Sequence, residues 1–402
     1  VGYQDGVELR DRTVTEYLRD HGYHTVLAGR SMHQSPPENP FGFEKRVQGS
    51  VHSPDDDYGR YLDRMLPGAG GIRGIGLSCN GWNARPWPYP EQYHPVHWTV
   101  QRARELLHSR TTDKPLFLTT GFYAPHPPLI PPEFYLSRYL SMDLPDPPVG
   151  SWVPRAPRLS DGPGVDSHFV TLPDEALHRA LAGYYGMIDY MDDSLFYLVS
   201  EFREQSKNDG RPWVIVFMSD HGDLMGDHHL WRKCEPYEGA TRVPLMIQGS
   251  EGTGITVGRR IASPVTLTDL MPTLLEFAGI ELPPNIDGKG LERLLRQPDT
   301  EPPHEYVHSE HAPCPNEGVG YHMLTDGREK YVWLPSDGTE HLFDLAVDPQ
   351  EKNDLINDGL GNEARDIWRR RLIAELRDRP EGFTDGTSLI AGRMYAPVLP
   401  QV

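Results

Sequence analysis

The apolar run Trp213-Val214-Ile215-Val216-Phe217-Met218 ends abruptly at Ser219-Asp220-His221-Gly222. Such a run reads as a buried strand, and a carboxylate followed at once by an imidazole at its mouth offers two metal ligands from one turn. Asp suits a hard cation such as Ca2+, while the imidazole leaves room for Mn2+. The plainer alternative is that both side chains cap the next helix. Farther along, Gly226-Asp227-His228-His229-Leu230-Trp231 leads to Arg232 and Lys233. A Lys beside a divalent cation can grip the non-bridging oxygens of a tetrahedral anion as a point charge; alone it would be an ordinary solvated side chain.

Two other strand ends carry reactive types. In Ala124-Pro125-His126-Pro127-Pro128 the prolines fix the backbone around one imidazole. So held, His126 can donate a proton to a leaving alcohol; otherwise it packs the loop. Arg30 and His33 follow the first apolar strand in Gly29-Arg30-Ser31-Met32-His33. Trp82, Trp87, Tyr89, Tyr93 and Trp98 crowd a proline-rich stretch. They form either a stacking surface for a sugar ring, led by Trp82 and Trp87, or the packing of a long loop onto the body. Asp55-Asp56-Asp57 reads as a solvated acidic turn.

The elements that must position these groups alternate between helix and buried strand. Thr13 and Glu16 form a capping-box pair ahead of an apolar stripe, and Gly22 stops that helix. Strands over Tyr23–Ala28, Leu116–Thr120, Trp213–Met218 and Thr241–Gln248 interleave with helices near Trp98–His108 and Thr268–Gly279. The longest helix places Leu177, Leu181, Ile188, Met191, Leu195, Leu198 and Phe202 on one face. This predicts an α/β fold, a mostly parallel mixed sheet flanked by helices, with ligands bound beyond the carboxyl ends of its strands. The tail differs. Asp326-Gly327 and Asp337-Gly338 separate short β-prone runs, and a helix carrying Ile367, Trp368, Leu372, Ile373 and Leu376 follows, which predicts a small antiparallel sheet plus helix. The expected division is a catalytic domain over residues 1–300 and a small α+β subdomain over 301–402.

Composition narrows the function. Of 402 residues, 37% are hydrophobic and 24% charged, enough for a large core, and no run approaches the ~20 apolar residues of a membrane span. The net charge of −19 opposes binding to nucleic acid or an anionic membrane, so an anionic substrate needs a local cationic pocket. Cys79, Cys234 and Cys314 are too few for a disulfide framework and contain no C-x-x-C pair.

Taken in order, Ser219–Asp223 through Lys233, Tyr237-Glu238 and Arg242-Val243-Pro244-Leu245 resemble the second signature region of the type I sulfatases, members of the alkaline phosphatase superfamily. The resemblance extends over Thr13–His33, Pro115–Pro132, Tyr184–Phe202 and Val265–Gly279. It continues through Leu324–Gly327, Leu342–Leu345, Asp348-Pro349 and Asn353–Leu355. It implies that Asp220 and His221 are half of a Ca2+ site, with Mn2+ the alternative, and that Lys233 and His126 contact the sulfate and the leaving oxygen. Arg30 and His33 would flank the nucleophile, and His228 falls on a recurring His near the substrate. The implied partner is a small sulfated substrate, a saccharide among the candidates. A periplasmic or secreted location also follows from the resemblance alone.

One departure is large. The family's nucleophile is a formylglycine made from the Cys or Ser of C-x-P-x-R or S-x-P-x-R, and neither pattern occurs here. Cys234-Glu235-Pro236-Tyr237-Glu238 comes nearest but ends in Glu. The expectation is therefore a nucleophile, and two further metal-binding carboxylates, upstream of Val1. The 402 residues would then bind Ca2+ weakly and hydrolyse no sulfate ester, and the sheet would lack an inner strand. Two other readings stay open: a phosphonate monoester hydrolase or phosphodiesterase of the same superfamily, and a non-catalytic protein that binds sulfated sugar.

Overall fold

The computed structural model describes residues 12–31, 39–50, 55–297, 300–313, 320–356, 359 and 362–393. His33 and Cys314 lie outside them. In chain order the helices and strands are α1 (Val14–Asp20), β1 (His24–Gly29), β2 (Lys45–Gln48), α2 (Asp57–Met65), α3 (Pro95–His108), β3 (Leu116–Gly121), α4 (Glu133–Leu140) and α5 (Asp174–Asn208). There follow β4 (Val214–Met218), α6 (Glu238–Thr241), β5 (Leu245–Gly249), α7 (Leu270–Phe277) and α8 (Glu292–Arg296). The tail holds β6 (Val307–His311), β7 (Tyr321–Thr325), β8 (Glu329–Trp333), β9 (Glu340–Asp344) and α9 (Asn362–Glu375). Among the described residues no helix is long and apolar enough to cross a membrane.

Local chemistry accounts for the element ends near the site. The Thr13 hydroxyl accepts from the Glu16 amide and the Glu16 carboxylate returns the bond to the Thr13 amide, a completed capping box. β1 pairs in parallel with β2 on one side and β3 on the other, and both β1 and β3 deliver their carboxyl ends to the same edge. There the backbones touch: a Cβ on Gly29 would fall 2.1 Å from the Gly121 carbonyl oxygen. Gly29 also has φ +91°, so both space and conformation demand glycine immediately before Arg30. Helix α5 runs for 35 residues, about 50 Å at ~1.5 Å per residue, and buries Ala180, Gly183, Met187, Tyr190 and Met191. Ile188 is exposed, so the inward stripe passes through Met187 and Tyr190 instead.

One strand boundary departs from expectation, and the antiparallel member of the mixed sheet is identified. β5 begins at Leu245, after Pro244, and Thr241 closes the short helix α6. β5 also runs antiparallel to β4, with Val214 opposite Gly249 and Met218 opposite Leu245. Among the described residues these two strands form a pair separate from the parallel trio. Among the described residues β3 and β4 thus have one hydrogen-bonded neighbour each, and Met218 and Met246 are exposed.

The tail folds as predicted, with Asp326-Gly327 and Asp337-Gly338 in the turns of a four-stranded antiparallel sheet ordered β6-β7-β8-β9. Leu324, Tyr331, Trp333 and Leu342 pack against Trp368, Leu372 and Leu376 of the segment around α9. The unforeseen strand of this sheet is β6, whose Val-His-Ser-Glu-His sequence hides its strand character because the face it turns to His322 of β7 carries His308 and Glu310, half-buried and polar.

A buried ion cluster fastens this sheet to the segment that follows Lys233. Lys330, on β8, has no exposed surface; its Nζ lies 2.7 Å from Glu238 Oε1, 2.8 Å from Glu351 Oε1 and 3.0 Å from the Pro236 carbonyl oxygen. Burial pushes the Glu351 carboxyl upward, the Lys330 ammonium opposing it. Removing one partner of such a cluster leaves charge buried without compensation. Lys330→Met is expected to destabilise the chain by about 3–5 kcal/mol in urea unfolding; a loss under about 1 kcal/mol would mean the cluster is solvated.

His94 provides a second check. It caps α3, its Nδ1 accepting from the Val96 amide at 3.1 Å while Nε2 donates to the Ile130 carbonyl at 3.1 Å. Burial drives the imidazole down to about 3, against ~6.5 when unfolded. Between those values the unfolded chain binds more protons, so this group's contribution to stability falls as pH falls. His94→Asn keeps the cap without the titration, so the stability gap between parent and variant should narrow below pH ~6.5, by up to ~1.4 kcal/mol per pH unit. A gap constant from pH 7 to 5 would contradict a neutral buried His94.

Candidate active site

The carboxyl end of β4 continues into Ser219–Gly222, where two hydrogen bonds fix the turn. The Ser219 hydroxyl donates to the His221 carbonyl at 2.6 Å, and the His221 amide donates to Asp220 Oδ1 at 3.0 Å. Gly222 presses on Gly239, whose carbonyl oxygen would lie 2.0 Å from an added Cβ. His221 Nδ1 donates to the Gly222 carbonyl at 2.8 Å, which leaves the Nε2 lone pair facing Asp220 Oδ1 at 3.8 Å. An acceptor oxygen and an acceptor nitrogen turned toward each other fit a shared cation. Among the described residues no third His, Cys, Asp or Glu atom completes this pair. Ca2+ takes roughly six to eight oxygens, so Asp220 and His221 supply part of such a set.

Lys233 arrives at the same place along an unusual backbone. Met225, His228, His229, Arg232 and Cys234 all take positive φ, each a strained choice for a residue with a Cβ. The strain is held by backbone bonds: Leu224 to Arg232 at 2.8 Å, Gly226 to Leu230 at 2.8 Å, and Trp231 to His168 at 2.9 Å. Asp223, which the motif reading left without a role, anchors the base of the loop. Its Oδ1 accepts from the Arg232 amide at 3.0 Å and the Met225 amide at 3.2 Å. Burial raises its pKa, while these amides and the nearby Lys233 and His221 favour the charged form. The sequence signal was present as the second Asp of Asp-His-Gly-Asp.

The loop brings Lys233 Nζ to 2.7 Å from His126 Nε2. His126 Nδ1 donates to the Pro127 carbonyl at 2.9 Å, so Nε2 presents its lone pair to the ammonium. Burial, then the Lys233 charge, depress the imidazole to about 3. The resting pair is a neutral His and a protonated Lys, itself lowered chiefly by burial. The His126 ring stands 6.0 Å from that of His221 and 4.8 Å from Tyr123. Arg30 lies 5.2 Å over the Tyr123 ring, and its charge is felt at both His126 and Lys233. Four residues from three strand ends thus form a cationic patch in an acidic protein.

Other expected site residues lie elsewhere. Trp82 is buried against Trp231, and Trp87 is buried with its indole N–H on the Pro90 carbonyl at 3.2 Å. Neither offers a face to a sugar ring, so they pack the loop instead. His228 is also buried, its Nδ1 accepting from the Gly150 amide at 3.1 Å and its ring wedged between Trp152 and Tyr237. It joins the loop to the tail sheet and does not face the patch. Cys234 stays next to Lys233, but Glu238, where C-x-P-x-R requires Arg, is held by Lys330.

A family model described as Sulfatase matches residues 2–280, and one described as N-sulphoglucosamine sulphohydrolase, C-terminal, matches residues 226–378. The chain belongs to the sulfatase family. An arylsulfatase of Clostridium perfringens is 35% identical over 410 residues, covering 98% of this chain and 84% of the relative. Sulfatases of this kind are sulfuric ester hydrolases, and this chain is an enzyme of that class. Its fold is alkaline-phosphatase-like. A phosphonate monoester hydrolase from Silicibacter pomeroyi superimposes with a TM-score of 0.74 at 20% identity, covering 93% of this chain and 82% of that one. A protein solved with its substrate D-glucosamine-2-N,6-O-disulfate superimposes with a TM-score of 0.68 at 17% identity, covering 93% and 83%.

The Lys233–His126 contact makes a direct prediction for this sulfatase. Lys233→Met should raise the His126 pKa from about 3, while burial keeps it below ~6.5. Imidazole resonances followed by NMR titration report it; an unmoved His126 would place the ammonium elsewhere in solution.

Proposed function

We propose that this chain binds the monoanionic sulfate group of a sulfated carbohydrate or aryl sulfate and assists departure of its alcohol. The observation that carries this reading is the 2.7 Å Lys233–His126 contact beside Asp220 and His221. Lys233 meets the non-bridging sulfate oxygens and Arg30 adds positive charge from the β1 end. His126 is neutral at rest, so the proton available to the leaving oxygen starts on Lys233 and can pass through Nε2. This revises the simpler picture of His126 as a standing proton donor. His33, outside the described residues, joins Arg30 near the nucleophile in the same proposal.

Asp220 and His221 hold a divalent cation, Ca2+ in this reading with Mn2+ as the alternative. When bound, the cation withdraws charge from the sulfate oxygens. The nucleophile in the proposal is a formylglycine, and since no C-x-P-x-R or S-x-P-x-R occurs among the 402 residues, it comes from outside them. A small substrate is favoured over a long polyanion by the net charge of −19. Phosphonate monoester hydrolysis is the second reading, since the patch recognises charge and tetrahedral shape, which both esters share.

Calorimetric titration with 4-nitrophenyl sulfate and with phenyl phosphonate esters, at fixed salt and with Ca2+ present, tests both. Lys233→Ala is expected to weaken sulfate ester binding roughly tenfold or more, about 1.4 kcal/mol. Unchanged affinity in both Lys233→Ala and His126→Ala would remove the proposal, and tighter binding of the phosphonate would favour the second reading. Turnover of 4-nitrophenyl sulfate by the 402 residues alone would assign the nucleophile to one of them.

A further inference from the structure

A second set of metal-ligand types meets in the tail sheet. His308 and Glu310 are two residues apart on β6 and so share a face; Glu310 sits directly opposite His322 on β7, with His308 on the diagonal. His308 Nε2 lies 3.1 Å from His322 Nδ1, and Glu310 Oε2 lies 3.4 Å from the same nitrogen. All three ligand atoms fall within 4.8 Å of one another. Bonds of ~2.0–2.2 Å at tetrahedral angles would set ligand atoms about 3.3–3.5 Å apart. Two edges of that figure are therefore nearly formed.

The surroundings suit a bound cation. His322 is buried and fixed between the rings of Trp333 and Phe383. Glu310 Oε2 is shielded from water and, though 3.0 Å from Arg379 Nη1, accepts no well-formed hydrogen bond. Arg379 donates to the other oxygen, Oε1, at 3.1 Å, the arrangement in which an outer donor orients a ligating carboxylate. Its charge is already matched, because its Nη2 also donates to Glu381 at 2.7 Å. Among the described residues β6 pairs only with β7, so a link between the two would staple an edge strand to its sheet.

We propose that His308, Glu310 and His322 form a three-ligand site for Zn2+ in the tail sheet, separate from Asp220 and His221. Two imidazoles and one carboxylate are a frequent Zn2+ donor set, with water free to take the fourth position, and are too poor in oxygen for Ca2+. The site does not depend on the proposed reaction. The competing account is a plain hydrogen bond between the two rings with Glu310 held by Arg379.

The test uses the chelator-stripped 402-residue chain, carrying Asp220→Asn and His221→Ala to silence the other donors. The chain is equilibrated with micromolar Zn2+, gel-filtered and analysed for metal. One Zn2+ per chain is expected. Glu310→Gln and His308→Gln, each checked for native circular dichroism, should each weaken it roughly 100-fold or more, beyond the ~10–100-fold loss typical of an outer partner. Should those variants unfold, the Co2+-loaded parent decides: intense visible bands of a four-coordinate ion support the site. No retained Zn2+, retention unchanged in both variants, or only the weak bands of six-coordinate Co2+ would overturn it.

Discussion

A half-buried ammonium set against a neutral imidazole is the constraint on which the site depends. Among the described residues Lys233 forms no ion pair with a carboxylate, and burial lowers its pKa. A cation in that position gains most when an anion arrives to replace the lost water. The carboxylates that influence it, Asp220 and Asp223, are committed elsewhere: one faces His221 Nε2, the other is bound by backbone amides. The site is therefore prepared for negative charge from outside, even though the whole molecule carries −19.

Keeping Lys233 there costs backbone strain, and the rest of the fold holds that strain in place. The left-handed residues between Met225 and Cys234 persist because cross-loop hydrogen bonds and the packing of Leu224, Tyr237, Ala240 and Phe343 leave them no relaxed alternative. Lys330 then clamps the chain beyond Lys233 through Pro236 and Glu238. The tail sheet thus acts as a backstop for the loop that carries Lys233, not as an appendage. Glu351, which completes the clamp, also accepts at its carbonyl oxygen from the Trp152 indole N–H at 2.8 Å, and the Trp152 ring packs on His228 and Tyr237.

Much of this was legible in the chain, and the illegible parts share a cause. Asp220 and His221 stood out because an apolar strand ended on them; the Thr13–Glu16 cap and the Asp-Gly turns act through neighbours in sequence. Strand direction is different, for nothing local distinguishes a parallel β5 from the antiparallel one observed. β6 was hidden because the face it turns to His322 carries His and Glu, not apolar residues. Trp82, Trp87 and His228 are chemically suited to ligands, and only the tertiary packing shows that Trp231, the Pro90 carbonyl and Trp152 already occupy them. The proton's resting place is likewise a property of distance, not of residue type.

Diffraction from crystals soaked with Mn2+ and a sulfate ester, with anomalous differences collected for the metal, tests the central claim most directly. The account predicts an ion bound by Asp220 and His221, with the sulfate between it, Lys233 and His126. An ion and sulfate that settle away from these four side chains, under conditions where both bind, would contradict it.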